Sequence, residues 1–282
     1  MMSINTNVAS ISTQRALEKT QMGLQKSMSR LSSGLRINTA GDDAAGLAIS
    51  ESLKGQVRSL QQASRNAGDG VSFLQTAEGA LNEVSGLLIR MRELSVQSSN
   101  GTLTTTQRSS LHNEFQQLRS EIDRIGDSTE FNGMKLLDGS ASGGVVFQVG
   151  LNNDSASKLT VNLASSKSGN IGSTATTARL DDSTISTAAG AQSALQIIDD
   201  AITDISSARG NMGSMINRLG NTMANLATAV ENLSAANSRI RDVDVAEETA
   251  QLTRAQILSQ AGVSILAQAN QLPQTALTLL RG

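Results

Sequence analysis

The 282-residue sequence has no cysteine, no tryptophan and no tyrosine, and only one proline and one histidine. Without cysteine, and with His112 alone, a thiol nucleophile, a cysteine-based zinc site and a disulfide framework are all excluded. Four phenylalanines are the only aromatics and the formal net charge is −2, so a base-stacking, electropositive nucleic-acid platform is not expected. There is no apolar run long enough to cross a bilayer, which needs about 20 residues, so no membrane insertion is expected. The polar start, rich in Asn, Ser, Thr and Gln, lacks the basic-then-apolar pattern of a secretory signal. By itself this fits a cytoplasmic protein. A chain free of disulfides also suits passage through a narrow channel in the unfolded state.

What the sequence has is heptad-spaced aliphatic side chains at both ends. Ile4, Val8 and Ile11, and then Leu24, Met28, Leu31 and Leu35, alternate at intervals of four and three, which is an a/d seam. Gly34 and Asn38–Gly41 interrupt it, and Asp42 and Asp43 mark a new helix start. The stripe resumes at Leu53, Val57 and Leu60 and continues through Ala67, Val71, Leu74, Leu81, Val84, Leu88 and Met91 to the break at Asn100-Gly101. A third helix carries Leu111, Phe115, Leu118, Ile122 and Ile125. After Ala188, Met212, Leu219, Leu226, Leu233 and Ile240 fall every seven residues. Leu258, Ile265, Leu272 and Leu279 repeat that interval, with Pro273 expected to kink the last helix. Between about 127 and 187 the character changes. Asn132-Gly133, Asp138-Gly139 and Gly143-Gly144 are turn signals, and Leu159–Leu163 alternates with period two, which predicts small hairpins. The fold class is therefore mainly α: long antiparallel helices and terminal coiled-coil segments around a small β-hairpin region, with the two ends paired.

The search for reactive chemistry is short. Gly41-Asp42-Asp43-Ala44-Ala45-Gly46 lacks the Lys-Ser/Thr of a phosphate loop and the spacing of a dinucleotide loop. Asp242–Glu248 has no central glycine for a calcium loop and is expected to start a helix. His112 has no acid–nucleophile constellation beside it and is expected on a helix surface. Glu83, Glu93, Glu114, Glu121 and Asp123 are helix carboxylates without an evident pocket. No enzyme, cofactor or metal is implied. What remains is apolar surface in excess. Leu258–Leu280 contains no charged residue, while residues 1–41 carry five basic residues and one acidic. Two readings of the pattern stand level: terminal helices that order only against other copies, or an ordinary intramolecular bundle.

Several motifs have a family likeness. Ser3-Ile-Asn-Thr-Asn7, Leu31-Ser-Ser-Gly-Leu35 and the stretch Arg36–Lys54 around Gly41–Gly46 resemble the N-terminal hallmark of bacterial flagellins. Arg254–Leu258, Gln260-Ala-Gly262, Ala267–Gln271 and Pro273-Gln274 are similar to their C-terminal end. The likeness covers roughly 1–140 and 190–282 and implies an inner domain (D0-like) from 1–41 and 242–282. It implies a rod domain (D1-like) from 42–241, with too few residues between the halves for outer domains. It further implies a structural subunit of the flagellar filament, a homopolymer exported unfolded by the flagellar export apparatus with its chaperone and located outside the cell. Filament cap and hook-associated proteins would be its other partners. The terminal stripes Leu24, Met28, Leu31, Leu35, Leu258, Ile265, Leu272 and Leu279 would then be the assembly seam. Arg90–Gln97 is similar to the segment read by the vertebrate Toll-like flagellin receptor, with Arg90, Leu94 and Glu114 at contact positions. Ser and Thr of 140–190 are candidate O-glycan acceptors. A hook–filament junction protein shares such ends and is the alternative within the class; a soluble helical binding module is the alternative outside it.

Overall fold

The computed structural model describes residues 6–172 and 179–281, with side chains as far as 271. Its residues form two compact units, 1–57 with 231–282, and 58–230. Five helices and four short strands occur in the order α1 (Val8–Ser33), α2 (Ala44–Ser99), α3 (Thr105–Ser128), β1 (Glu130–Phe131), β2 (Met134–Lys135), β3 (Val145–Gln148), β4 (Lys158–Val161), α4 (Ala188–Arg241) and α5 (Val245–Arg281). The mainly-α expectation with central hairpins is met.

In the first unit α1 and α5 pack as an antiparallel pair. Ser10 Oγ donates to Asn270 Oδ1 at 2.8 Å near one end, and Arg30 reaches Glu248 at 3.4 Å near the other. Local chemistry sets the helix limits. Asn7 Oδ1 accepts the Ser10 N–H at 3.0 Å and opens α1. Gly34, at φ 72°, closes it, donating its N–H to Arg30 O at 2.9 Å. Asp244 Oδ1 accepts from the N–H groups of Ala246 and Glu247 at 2.9 and 3.2 Å, so the acidic run starts α5 as expected. Pro273 lies within α5, which runs on to Arg281.

A backbone clasp ties the chain beyond α1 to the start of α5. Leu35 pairs with Asp242, Arg36 N–H donates to Arg241 O at 2.7 Å, and Val243 N–H donates to Gly34 O at 3.1 Å. The acidic glycine motif then turns the chain into α2. Asp42 accepts the N–H groups of Asn38 and Thr39 at 3.3 and 3.2 Å and pairs with Lys26 at 2.6 Å. Asp43 Oδ1 accepts Gly46 N–H at 2.9 Å. A Cβ at Gly46 would sit 2.8 Å from Ile37 Cδ1 and collide with the Asp43 carboxylate, so the motif is built for a tight helix entry.

The second unit holds the hydrophobic core. Leu74, Leu81, Leu88 and Met91 of α2, Phe115 and Ile122 of α3 and Leu219 of α4, all in the a/d stripes read from the sequence, are buried, and Leu94 and Ile198 join them. Helix α3 is opened by a capping box, Thr104 with Gln107. Phe73 lies edge-on to Phe131 and Phe147 at 5.9 and 5.5 Å, so three of the four phenylalanines fix the hairpins to α2. A Cβ at Gly70 would come within 3.2 Å of Leu219 and 3.3 Å of Phe147, which explains a glycine inside α2. Strands β1 and β2 join through Asn132-Gly133, both at positive φ (49° and 78°), the backbone that a two-residue hairpin turn demands. Strands β3 and β4 pair antiparallel from Val145↔Val161 to Gln148↔Lys158.

Candidate functional site

The helix pair has an unusual division of residues. The α1 positions turned toward α5 follow a four–three rhythm, Ser10, Thr13, Leu17, Thr20, Leu24, Ser27 and Leu31, all buried or half-buried. Those of α5 are Glu248, Leu252, Ala255, Ser259, Gly262, Leu266 and Ala269. Most are small or polar. The approach is close: a Cβ on Gly262 would meet Leu17 Cδ1 at 3.2 Å. Two serines, Ser10 and Ser27, are the buried residues of α1. Near the clasp, Glu248 is 5% exposed and its Oε1, like Arg30 Nε, has no hydrogen-bond partner among the described residues. A buried ion pair this sparsely solvated adds little to stability.

Five leucines lie among the seam-facing residues, but many other large aliphatic side chains point elsewhere. Val8, Ile11, Met22 and Met28 of α1, and Val245, Ile257, Leu258, Val263 and Ile265 of α5, are each at least 44% exposed. Val8, Ile11 and Met22 fall within about 60° of one another at 100° per residue, on one face of α1. Leu258 and Ile265 flank an open groove of about 320 Å³, shared with Ser12, Thr13, Ala16, Leu17, Thr20, Ala261 and Gly262. The terminal stripe expected from the sequence therefore divides. Met28, Leu258 and Ile265 are exposed. Leu24 and Leu31 are half-buried at the α1–α5 seam, and Leu35 is half-buried in the clasp. The side chains of Leu272 and Leu279 lie outside the described residues. Periodicity found the heptads but could not tell a face turned to α5 from a face turned outward. Side-chain size was only a partial signal: the seam-facing positions mix Ser, Thr, Gly and Ala with five leucines, while Met22, Ile257 and Val263 lie outside.

A second surface lies on the other unit. The Arg90 guanidinium bonds Glu93 at 2.8 Å and Glu114 at 2.9 Å. These two carboxylates, Glu93 first, hold the Arg90 pKa above its ordinary value. Arg92, also on α2, reaches Asp199 of α4 at 2.6 Å. Ile89 and Val96 are exposed beside them and line a groove of about 360 Å³ with Arg92, Glu93 and Gln97. Arg90 and Glu114 thus share one ionic surface. Leu94 does not, which corrects its placement among contact residues: it is 1% exposed and part of the core. The i, i+4 spacing put it on the face of Arg90, but the long Arg side chain leans outward while the leucine stays beneath.

Among the described residues there is no cluster of three or more His, Asp or Glu placed to hold a metal ion, and no helix is long and apolar enough to cross a membrane. His112 is half-buried rather than on an open surface. It stacks on Phe115, and its Nδ1 accepts the Ile185 N–H at 3.4 Å. Burial, and then the charge of Arg119, push its pKa below the ordinary histidine value. It serves as a tie between α3 and the segment leading to α4.

The family model for the bacterial flagellin N-terminal helical region matches residues 4–142, and that for the C-terminal helical region matches 195–280. A flagellin of Halalkalibacterium halodurans is 49% identical over 99% of this chain and 100% of its own length. The flagellar filament 33 kDa core protein of Treponema phagedenis is 42% identical over 99% and 100%. Among solved structures, a putative flagellar hook-associated protein from Vibrio parahaemolyticus is similar in fold, with a TM-score of 0.59 at 17% identity over 71% of this chain and all of the other. With both terminal regions matched and the relatives aligned from end to end, this chain belongs to the bacterial flagellin family.

Proposed function

We propose that the chain is the structural subunit of a bacterial flagellar filament, a homopolymer joined through the outward faces of α1 and α5. One observation carries this reading: beyond the leucines that pack among small and polar residues at its seam, the pair leaves nine large aliphatic side chains exposed. Ordering a backbone residue costs about 1–2 kcal/mol. Apolar burial returns roughly 25 cal/mol per Å², and the side chains with most to bury are those that α1 and α5 leave exposed to each other's solvent. Neighbouring copies supply the missing cover. On this reading 1–41 and 242–282 are the inner, D0-like part of the subunit and 42–241 the rod, D1-like part.

Seeded polymerisation of the purified chain, viewed by negative-stain electron microscopy, tests the reading. Long uniform filaments that vanish when 1–41 and 242–282 are removed are expected. A chain that stays soluble with terminal helices already protected from protease overturns it. Short stubs that stop growing point to a junction protein; the full-length likeness to flagellins favours the filament subunit. Export as an unfolded chain through the flagellar apparatus with a chaperone, assembly beneath the filament cap on hook-associated proteins, and an extracellular location belong to the same proposal. The absence of cysteine supports them. Recognition by the vertebrate Toll-like flagellin receptor is also part of this proposal, through Arg90 and Glu114, which share an exposed ion pair above a buried Leu94. A reporter-cell assay is expected to give weaker signalling for Arg90→Ala; equal signalling by variant and parent removes the receptor assignment.

A further inference from the structure

Helix α1 exposes two methionines, about 120° apart around its axis at 100° per residue, and we propose that Met22 and Met28 are oxidation sites through which a peroxide blocks assembly of the free subunit. The inference rests on the assembly reading above.

The chemistry follows from composition and exposure. With no cysteine, tryptophan or tyrosine in the chain, thioethers are its principal targets for two-electron oxidants. The nine methionines are far from equivalent. Met91 and Met212 are buried, and Met215 and Met223 are packed against the core of the rod unit. Met1 and Met2 lie outside the described residues. Met22, Met28 and Met134 are 58%, 56% and 46% exposed. Of these, Met134 sits on a hairpin, while Met22 and Met28 belong to the helix whose exposed aliphatic residues await a partner. In the step itself the sulfur lone pair attacks one oxygen of hydrogen peroxide. An S–O bond forms, the O–O bond breaks and water leaves. Sulfur is oxidised by two electrons and the peroxide is reduced by two. The product is a polar sulfoxide. Exposed to water, it is harmless to the monomer. Buried against another subunit without a hydrogen-bond partner, it carries a desolvation penalty. Once assembled, the same sulfurs are covered, so the filament resists what the free subunit does not.

The test treats the full-length monomer with hydrogen peroxide, maps the added oxygen by peptide mass spectrometry and follows seeded growth. Oxygen is expected on Met22 and Met28 and not on Met91 or Met212, with the critical concentration raised about tenfold, the effect of one unsatisfied polar group. Methionine sulfoxide reductase should restore growth to the oxidised wild type. The Met22→Leu, Met28→Leu double variant, a volume-conserving change, should grow equally before and after peroxide. Preformed filaments should take up oxygen at these positions more slowly than monomer. The inference is overturned if oxidised wild type grows as well as untreated, if the reductase restores nothing, or if peroxide stops the double variant as it stops the wild type. Failure of the untreated chain to polymerise at all overturns the assembly reading instead, so the two failures are distinguishable.

Discussion

A charge placed at Ile265 separates the outward face from the helix pair itself. Ile265 is 53% exposed and lines the groove beside Leu258. In the free chain Ile265→Asp exchanges two residues of similar helix propensity at a position away from the core. Its cost to the monomer should stay within about 0.5 kcal/mol, about 1–2 °C in Tm for a protein of this size. In the polymer the same substitution forfeits the burial of the exposed half of an isoleucine, about 1 kcal/mol. It also desolvates a carboxylate with no cation nearby, a further several kcal/mol. At about 1.4 kcal/mol per decade, the critical concentration should rise roughly a hundred- to a thousandfold. Sedimentation of seeded reactions over a range of subunit concentrations measures that rise, and thermal unfolding of the unseeded chain supplies the control. An unchanged critical concentration refutes the assembly face. A large fall in Tm refutes the premise that Ile265 is idle in the monomer.

Three further outcomes are expected of the monomer. Leu94→Ala empties a site 1% exposed in the rod core and should lower unfolding stability by about 2–5 kcal/mol in a denaturant titration. Asp42→Asn removes an ion pair with Lys26 and weakens the acceptor for Asn38 and Thr39, the contacts that hold the Asp42 carboxyl far below its usual range. Because the folded pKa is depressed, the stability it gives is complete above the unfolded value near 3.9 and fades as pH falls toward the folded one. The wild type should therefore lead the variant at neutral pH and lose that lead in strong acid. His112 also has a depressed folded pKa, but as a base: below about 6.5 the unfolded chain binds the extra proton, so wild-type stability falls with acid. Calorimetric Tm of His112→Gln should show a flatter profile from pH 7 to 5 (about one pKa of histidine either side); parallel profiles refute the assignment.

The rod was legible because its rules are local and redundant. Leu74, Leu81 and Leu88 repeat every seven residues and all three are buried, and Asn132-Gly133 announced a turn that only positive φ allows. The capping box of Thr104 and Gln107 is a sequence signature that the reading by periodicity passed over. Leu94 shows the limit of such reading. Residues four apart share a helix face, but a helix at the edge of a core has one flank in water and one in the interior, and spacing does not choose between them for an arginine and a leucine. The same ambiguity governed the terminal stripes. Met28 and Leu31 are neighbours on α1, yet Leu31 lies at the seam with α5 and Met28 lies outside it.

That division bears on why the terminal pair should be so poor a structure by itself. A helix pair meant to stand alone places its leucines between the helices and its serines in water. Here five leucines do lie between the helices, but Ser10, Ser27 and Glu248 are buried with them, and the Glu248 carboxylate is met by a 3.4 Å ion pair. Breaking such a pair on one side leaves an unpaired buried charge, whereas water reaching both sides costs little. The pair is accordingly easy to undo as a unit. Its outward isoleucines, leucines and valines contribute nothing until something covers them. If the chain travels unfolded as proposed, and then holds a long polymer together, it needs both properties, and one arrangement of residues provides them: inner faces weakened by buried polar groups, and outer faces whose burial depends on the next copy. Replacing Ser10 and Ser27 with alanine and leucine should strengthen the monomeric pair. If it also leaves seeded growth unchanged, with the terminal helices protected from protease beforehand, weakness of the inner face is no part of how the subunit assembles.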